Sequence, residues 1–172
     1  MERFTSAVER ALRDANWYWA LMIALTLPDI CGWLEDPSLG SKARNVAWSR
    51  RFLEPRYTYR FGKTHRHTFL SADDTYALRC AVLHEGSDDI TRQRARAALE
   101  RFHFIDPPPP PRVVHCNQVN DTLELQVDMF CQDILAGVRQ WADTVLASSA
   151  AARARLDELI VIHSAAGNIS VP

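Results

Sequence analysis

The stretch Thr75-Tyr-Ala-Leu-Arg-Cys-Ala-Val-Leu-His-Glu-Gly86 reads as a helix whose basic residues, Arg79 and His84, sit among apolar neighbours. Ser71, with Asp74 just inside the helix, supplies an N-terminal cap, and Gly86 supplies the C-terminal stop. Tyr76, Cys80 and Leu83 share one face while Leu78 and Val82 share another, so the pattern predicts a helix buried nearly all round. An arginine in such a helix needs a partner, because desolvating an unpaired charge is expensive. Asp29, set among Leu27, Ile30 and Trp33, is the candidate buried carboxylate.

Outward from this helix the chain reads as mainly α. Phe4, Val8, Ala11 and Leu12 lead into the apolar run Trp17 to Leu27, predicting one long or broken helix over residues 3–35 with a kink at Pro28. Ser41 to Leu53 reads as a helix with Val46, Trp48 and Phe52 inward, and Glu54 to Leu70 as a connection without clear periodicity. Thr91 to Glu100, alternating Arg and Ala, reads as an exposed helix. Arg101 to Ile105 alternates like a strand, and five prolines, Pro107 to Pro111, read as a polyproline II spacer. Val113 to Cys116 and Thr122 to Gln126 flank a turn and predict a hairpin. Val127, Phe130, Ile134, Val138, Trp141 and Val145 then mark a long amphipathic helix, and Ala151 to His163 another with Leu156, Leu159 and Ile160 inward. The expectation is a single domain spanning residues 1–172: a helical part over 1–100, a β and polyproline insertion over 101–126, and C-terminal helices over 127–164 that pack on the bundle.

Charge is unevenly spread. Ser41 to Phe69 holds eight Lys or Arg against one acid, Glu54, while Asn117 to Pro172 holds seven acids against three arginines. Within the basic part, Tyr57, Tyr59 and Phe61 interleave with Arg50, Arg51, Arg56, Arg60, Lys63 and Arg66. Aromatic rings that stack bases, combined with cations that meet phosphates, are how single-stranded nucleic acid is held. Arg50, Arg51, Arg56, Tyr57, Arg60, Lys63 and Arg66 are therefore the candidate nucleic-acid contacts. The competing reading is a solvated loop whose aromatics pack down on the bundle.

Arg79 and His84 form the pattern Arg-x4-His. Arg60 with His65 or His67, and Arg96 with His103, also fit an Arg-x4–6-His spacing, but only Arg79 and His84 lie in an apolar helix that ends at glycine. In this the chain resembles the HEPN superfamily, helical bundles of which many are metal-independent ribonucleases. The resemblance covers about a dozen residues closely and the first 90 loosely, by helix order. It implies that Arg79 and His84 are catalytic, that RNA is the substrate, and that the site forms across a homodimer interface. It further implies a toxin or defence effector, with no cofactor and no metal. The pattern departs at Cys80, where family members commonly carry a polar residue such as asparagine. On a straight helix, moreover, residues five apart lie about 140° from each other and do not converge within one chain. The alternative is a non-catalytic helical regulator or inhibitor that binds a protein or nucleic-acid partner.

Other chemistries lack a signature. There is no Gly-rich phosphate loop, no Gly-x-Ser-x-Gly and no His-Glu-x-x-His. The four cysteines, Cys31, Cys80, Cys116 and Cys131, are scattered with no Cys-x-x-Cys, and Cys31, Cys80 and Cys131 sit among apolar neighbours, which points to a reduced, cytoplasmic setting. A zinc set of His115, Cys116 and Cys131 matches no standard ligand spacing. The apolar run is too short to span a bilayer, and Glu2, Arg3, Glu9 and Arg10 mix signs where a signal peptide would be basic, so neither a membrane span nor a leader is expected.

Overall fold

Asn16 ends one helix and starts the next. In the computed structural model, which describes residues 1–62 and 65–163, α1 runs Glu2–Arg13 and α2 runs Trp17–Glu35. Ala15, at φ 52, turns the chain between them, and the Asn16 side chain accepts from the Trp19 N–H as N-cap. The break therefore falls at residues 14–16, and α2 continues through Pro28 rather than ending there. The apolar helix is thus longer than its unbroken apolar run. Among the described residues it is the one helix long and apolar enough to cross a membrane, by length and composition alone, and 50% of its apolar window is buried. Ala20, Leu21, Ala24, Leu25, Leu27, Cys31 and Leu34 supply that buried side, against α1 and two helices that follow.

The first of these is α3, Ser41–Phe52, with Val46, Trp48 and Phe52 inward as the pattern predicts. Gly32 lets α3 lie directly against α2: a Cβ there would come 2.8 Å from Arg44 Cβ and 2.9 Å from the Arg44 carbonyl oxygen. A 3-10 turn over Glu54–Tyr57 leads into an antiparallel hairpin, β1 Thr58–Phe61 and β2 His65–Thr68. In sequence this segment is a connection without clear periodicity. Gly62, at φ 67, supplies the turn that an apolar periodicity cannot reveal.

Next, α4 runs Ala72–Cys80 and widens into a π-type turn over Ala81–Glu85, closed by Gly86 at φ 64. Thr91 to Glu100 is not helical. The Asp74 carboxylate, 1% exposed, accepts from the backbone N–H of Ala97 at 2.7 Å and reaches those of Ala98 and Leu99, which holds the segment in turns. β3, Arg101–Ile105, then pairs in parallel with β5, Thr122–Gln126, which pairs antiparallel with β4, Asn117–Val119. Thr122 to Gln126 is a strand as expected, but Val113 to Cys116 is not: its partner strand is Asn117–Val119, inside the expected turn, and the hairpin belongs to a three-stranded sheet of order β3-β5-β4. The proline run bends, with the Arg112 N–H donating to the Pro109 carbonyl.

The second helix against α2 is α5, Val127–Trp141, which continues through a wider turn to Leu146. Gly137 brings it against α3, where an added Cβ would meet Trp48 at 2.8 Å. Last comes α6, Ala150–Ala154, with a short 3-10 turn to Glu158. The expected helix to residue 163 stops early, and Ile160, expected inward, is 73% exposed. The fold is mainly α, a helical bundle with a small β element before the C-terminal helices.

Candidate functional site

Three helices converge on one carboxylate. Asp29 comes from α2, Ser41 and Arg44 from the first turn of α3, and Arg79 from the last turn of α4. Arg44 Nε donates to Asp29 Oδ1 at 2.6 Å and its Nη2 to Oδ2 at 3.3 Å, a two-pronged contact. The Ser41 hydroxyl lies 3.2 Å from both oxygens, and Arg79 Nη2 lies 3.5 Å from Oδ2. The Asp29 hydrogen bond raises Arg44 above its ordinary value against a smaller desolvation cost, so its charge is fixed. Asp29 is the carboxylate that the sequence pointed to, half-buried rather than fully buried, and Arg79 is among its partners. Arg44 was not singled out. Its separation from Asp29 carries no periodic signal, and only the Gly32 crossing sets the two helices close enough.

The far side of Arg79 meets His84. Arg79 Nη1 lies 3.2 Å from His84 Nε2. On a straight α-helix the two would diverge, but the widened turn at Ala81–Glu85 follows i→i+5 spacing and brings residues five apart into line. Convergence is reached within one chain. A guanidinium only donates, so Nε2 must accept and carries its lone pair, the form required of a base. Arg79 also retains a buried Nε without a partner among the described residues. Its side chain is 17% exposed, whereas His84 is exposed, so the pair stands at a surface rim with the arginine anchored inward. The helix is correspondingly not buried all round: Ala77, Leu78 and Ala81 face the core, and Tyr76, Cys80 and Leu83 are half-buried. Burial first, then the neighbouring Cys80, raises the Tyr76 phenol, which keeps its proton. Leu83 also lines an apolar groove of about 770 Å³ with Trp19, Met22 and Ile23 of α2.

The basic stretch divides in two. Arg50 pairs with Asp73 at 3.0 Å, and Arg51 pairs with Glu35 at 2.7 Å and stacks over the Phe52 ring. Arg56 donates to the Phe52 carbonyl and reaches Gln140. Tyr57 is fully buried and donates to Asp133, so it has no free face on which a base could stack, and it leaves the candidate set. Arg60 and Arg66 differ: they stand directly opposite each other on the hairpin, exposed, and neither makes an ion pair among the described residues. Lys63 lies outside the described residues. The aromatics interleaved with the arginines in sequence fall on the other face of the ribbon, because strand side chains alternate. There Tyr59, Phe61 and His67 gather around Phe69, and His65 packs on Phe61.

Comparison with protein-family models, with curated proteins and with solved structures finds no match.

Proposed function

We propose that this chain is a HEPN-like, metal-independent endoribonuclease that cleaves RNA by attack of a ribose 2′-OH on the adjacent phosphate. The observation that carries the reading is the 3.2 Å contact between Arg79 and His84, with the Asp29 carboxylate behind the arginine. His84 takes the 2′-OH proton at the nitrogen that now faces Arg79, Arg79 turns its donors to the phosphate as charge builds in the transition state, and the P–O5′ bond breaks as the leaving 5′ oxygen is protonated by water or by the His84 proton. Asp29, itself seated by Arg44, holds the guanidinium in place, which spares the reaction the cost of ordering it. A second copy packs on the exposed apolar face of α2, where Tyr18 is 81% and Trp19 61% exposed, beside the groove that Leu83 lines.

The test is cleavage of a labelled single-stranded RNA in the presence of EDTA. Wild type should yield 2′,3′-cyclic phosphate ends, and RNA carrying a 2′-deoxy residue at the cleaved position should survive. Activity that needs added metal, or that persists in both Arg79→Ala and His84→Ala, overturns the proposal. The Arg79–Asp29 contact favours a second reading, in which the cluster is a structural ion network of a non-catalytic regulator that binds a protein or nucleic acid. Under it, Arg79→Ala lowers stability and no RNA is cut.

A further inference from the structure

Beside the Asp29 cluster, α3 and α4 leave a groove of about 720 Å³ between them, within the roughly 300–1,000 Å³ of ordinary ligand sites. Ala43 and Ala47, four residues apart on α3, stand on one stripe of the helix, and because their side chains stop at Cβ the space between the helices stays open. Val46 completes the apolar lining, and Tyr76 of α4 supplies an aromatic wall. The charged residues of the groove are Lys42 and Arg50, both basic.

Two side chains join this groove to the Arg79 site. Ser41 lines the groove and also places its hydroxyl 3.2 Å from both Asp29 oxygens. Tyr76 stands three residues before Arg79 on α4, about 4.5 Å along the helix axis. A strand whose phosphate meets Arg79 therefore has the groove beside it. The electrostatics favour an anion. Lys42 is exposed and makes no ion pair among the described residues, whereas Arg50 is held by Asp73 at 3.0 Å. The Tyr76 phenol keeps its proton, so it presents a neutral ring rather than a second negative charge. A flat base carrying a phosphate uses all of these features. A purely apolar chain would leave Lys42 idle, and an acidic side chain would leave the ring and the alanines uncovered.

We propose that this groove is the subsite for the nucleotide adjoining the cleaved phosphate, with its base against Tyr76, Ala43 and Ala47 and its outer phosphate on Lys42. The inference rests on the ribonuclease reading and adds to it a requirement for a base at one position beside the cut. Stacking on an aromatic ring accepts every base, so the subsite demands a base without choosing among the four. Arg50 shapes the edge of the groove and, being paired, contributes less than Lys42.

The experiment uses the full chain, in EDTA, on short single-stranded RNAs that differ only in an abasic nucleotide placed on one or the other side of the cleaved bond. Such a nucleotide keeps its ribose, its 2′-OH and its phosphate. At one of the two positions the abasic RNA should be cut with kcat/KM lower by about tenfold or more. Ala47→Trp fills the groove from an exposed position. It should lower kcat/KM on intact RNA by a similar factor and erase the difference between intact and abasic RNA, which a merely structural role would not do. Lys42→Glu should lower kcat/KM severalfold on both RNAs, by a factor that shrinks as salt is raised. The Tm of Lys42→Glu should stay within a degree or two of wild type. If wild type cuts intact and abasic RNAs equally at both positions, or if Ala47→Trp and Lys42→Glu both leave kcat/KM unchanged, the subsite is overturned while the ribonuclease reading stands. If wild type cuts no RNA, both are overturned.

Discussion

Arg79 is shared between a carboxylate and an imidazole, and the two contacts predict different losses when each is removed. Asp29→Asn leaves Arg44 and Arg79 facing each other without compensation. These side chains are 14–21% exposed, so the cost should reach about 1–3 kcal/mol, below that of a fully buried pair. Urea denaturation measures it, and an unchanged midpoint would show that Asp29 holds nothing. His84→Ala removes an exposed side chain and should shift stability by no more than about 0.5 kcal/mol, while RNA cleavage falls by a factor on the order of 10² or more. His115 gives a prediction with a sign. Burial opposes charge on its imidazole, but the Asp133 carboxylate, 3.6 Å from its Nε2, and the neighbouring Cys116 outweigh that. Its raised value, about 9, means that the folded protein holds a proton the unfolded chain releases near 6.5. Its contribution is complete below about pH 6.5 and is lost as pH rises through about 9. The gap in Tm between wild type and His115→Gln should therefore shrink between those values. A gap that stays constant or widens would contradict the assigned proton.

At the scale of elements, legibility in the sequence followed periodicity. α3 and α5 carry apolar residues at helical spacing over a dozen or more positions and lie where that spacing puts them. The cap at Ser71 and the stop at Gly86 were equally readable, since each depends on a residue type with one physical use. The hairpin and the turns over 91–100 were not, because Gly62 and Asp74 fix them through backbone geometry and long-range hydrogen bonds. Asp29 was readable as an acid in an apolar run, but the widened turn that joins Arg79 to His84 was not, since straight-helix geometry argues against the contact. Crossing glycines tie these elements to the site. Gly32→Ala would force Arg44 away from α2 and should cost about 1–3 kcal/mol by overpacking, roughly 2–4 °C of Tm per kcal/mol in a chain of this size. It should also lower RNA cleavage, although Gly32 touches no substrate, because Arg44 no longer seats on Asp29. Gly40→Ala, with nothing within 4 Å of the added Cβ, is the control and should change neither.

Over the whole molecule, the excess of cations between Ser41 and Phe69 loses much of its meaning once pairing is counted. Arg44, Arg50 and Arg51 neutralise Asp29, Asp73 and Glu35 from neighbouring elements, and Arg56 is engaged with the Phe52 carbonyl and Gln140, whereas Arg60 and Arg66 stand as an exposed pair facing each other across the hairpin with no ion pair among the described residues. Like charges directly opposite on a sheet destabilise it, so an anion that sits between them gains from both. If RNA is that anion, each phosphate contact releases a counterion and affinity falls steeply with salt. Arg60→Glu with Arg66→Glu should then abolish binding of single-stranded RNA and flatten the salt dependence. Tm should stay within a degree or two, since exposed charges contribute little to folding. Arg50→Ala, which removes a paired cation, should weaken binding far less. A filter-binding titration at several salt concentrations, run on His84→Ala so that the RNA stays intact, separates these outcomes. If the hairpin variant binds as tightly as its parent, the ribbon is not the RNA surface; if neither binds at low salt, the regulator reading replaces the ribonuclease.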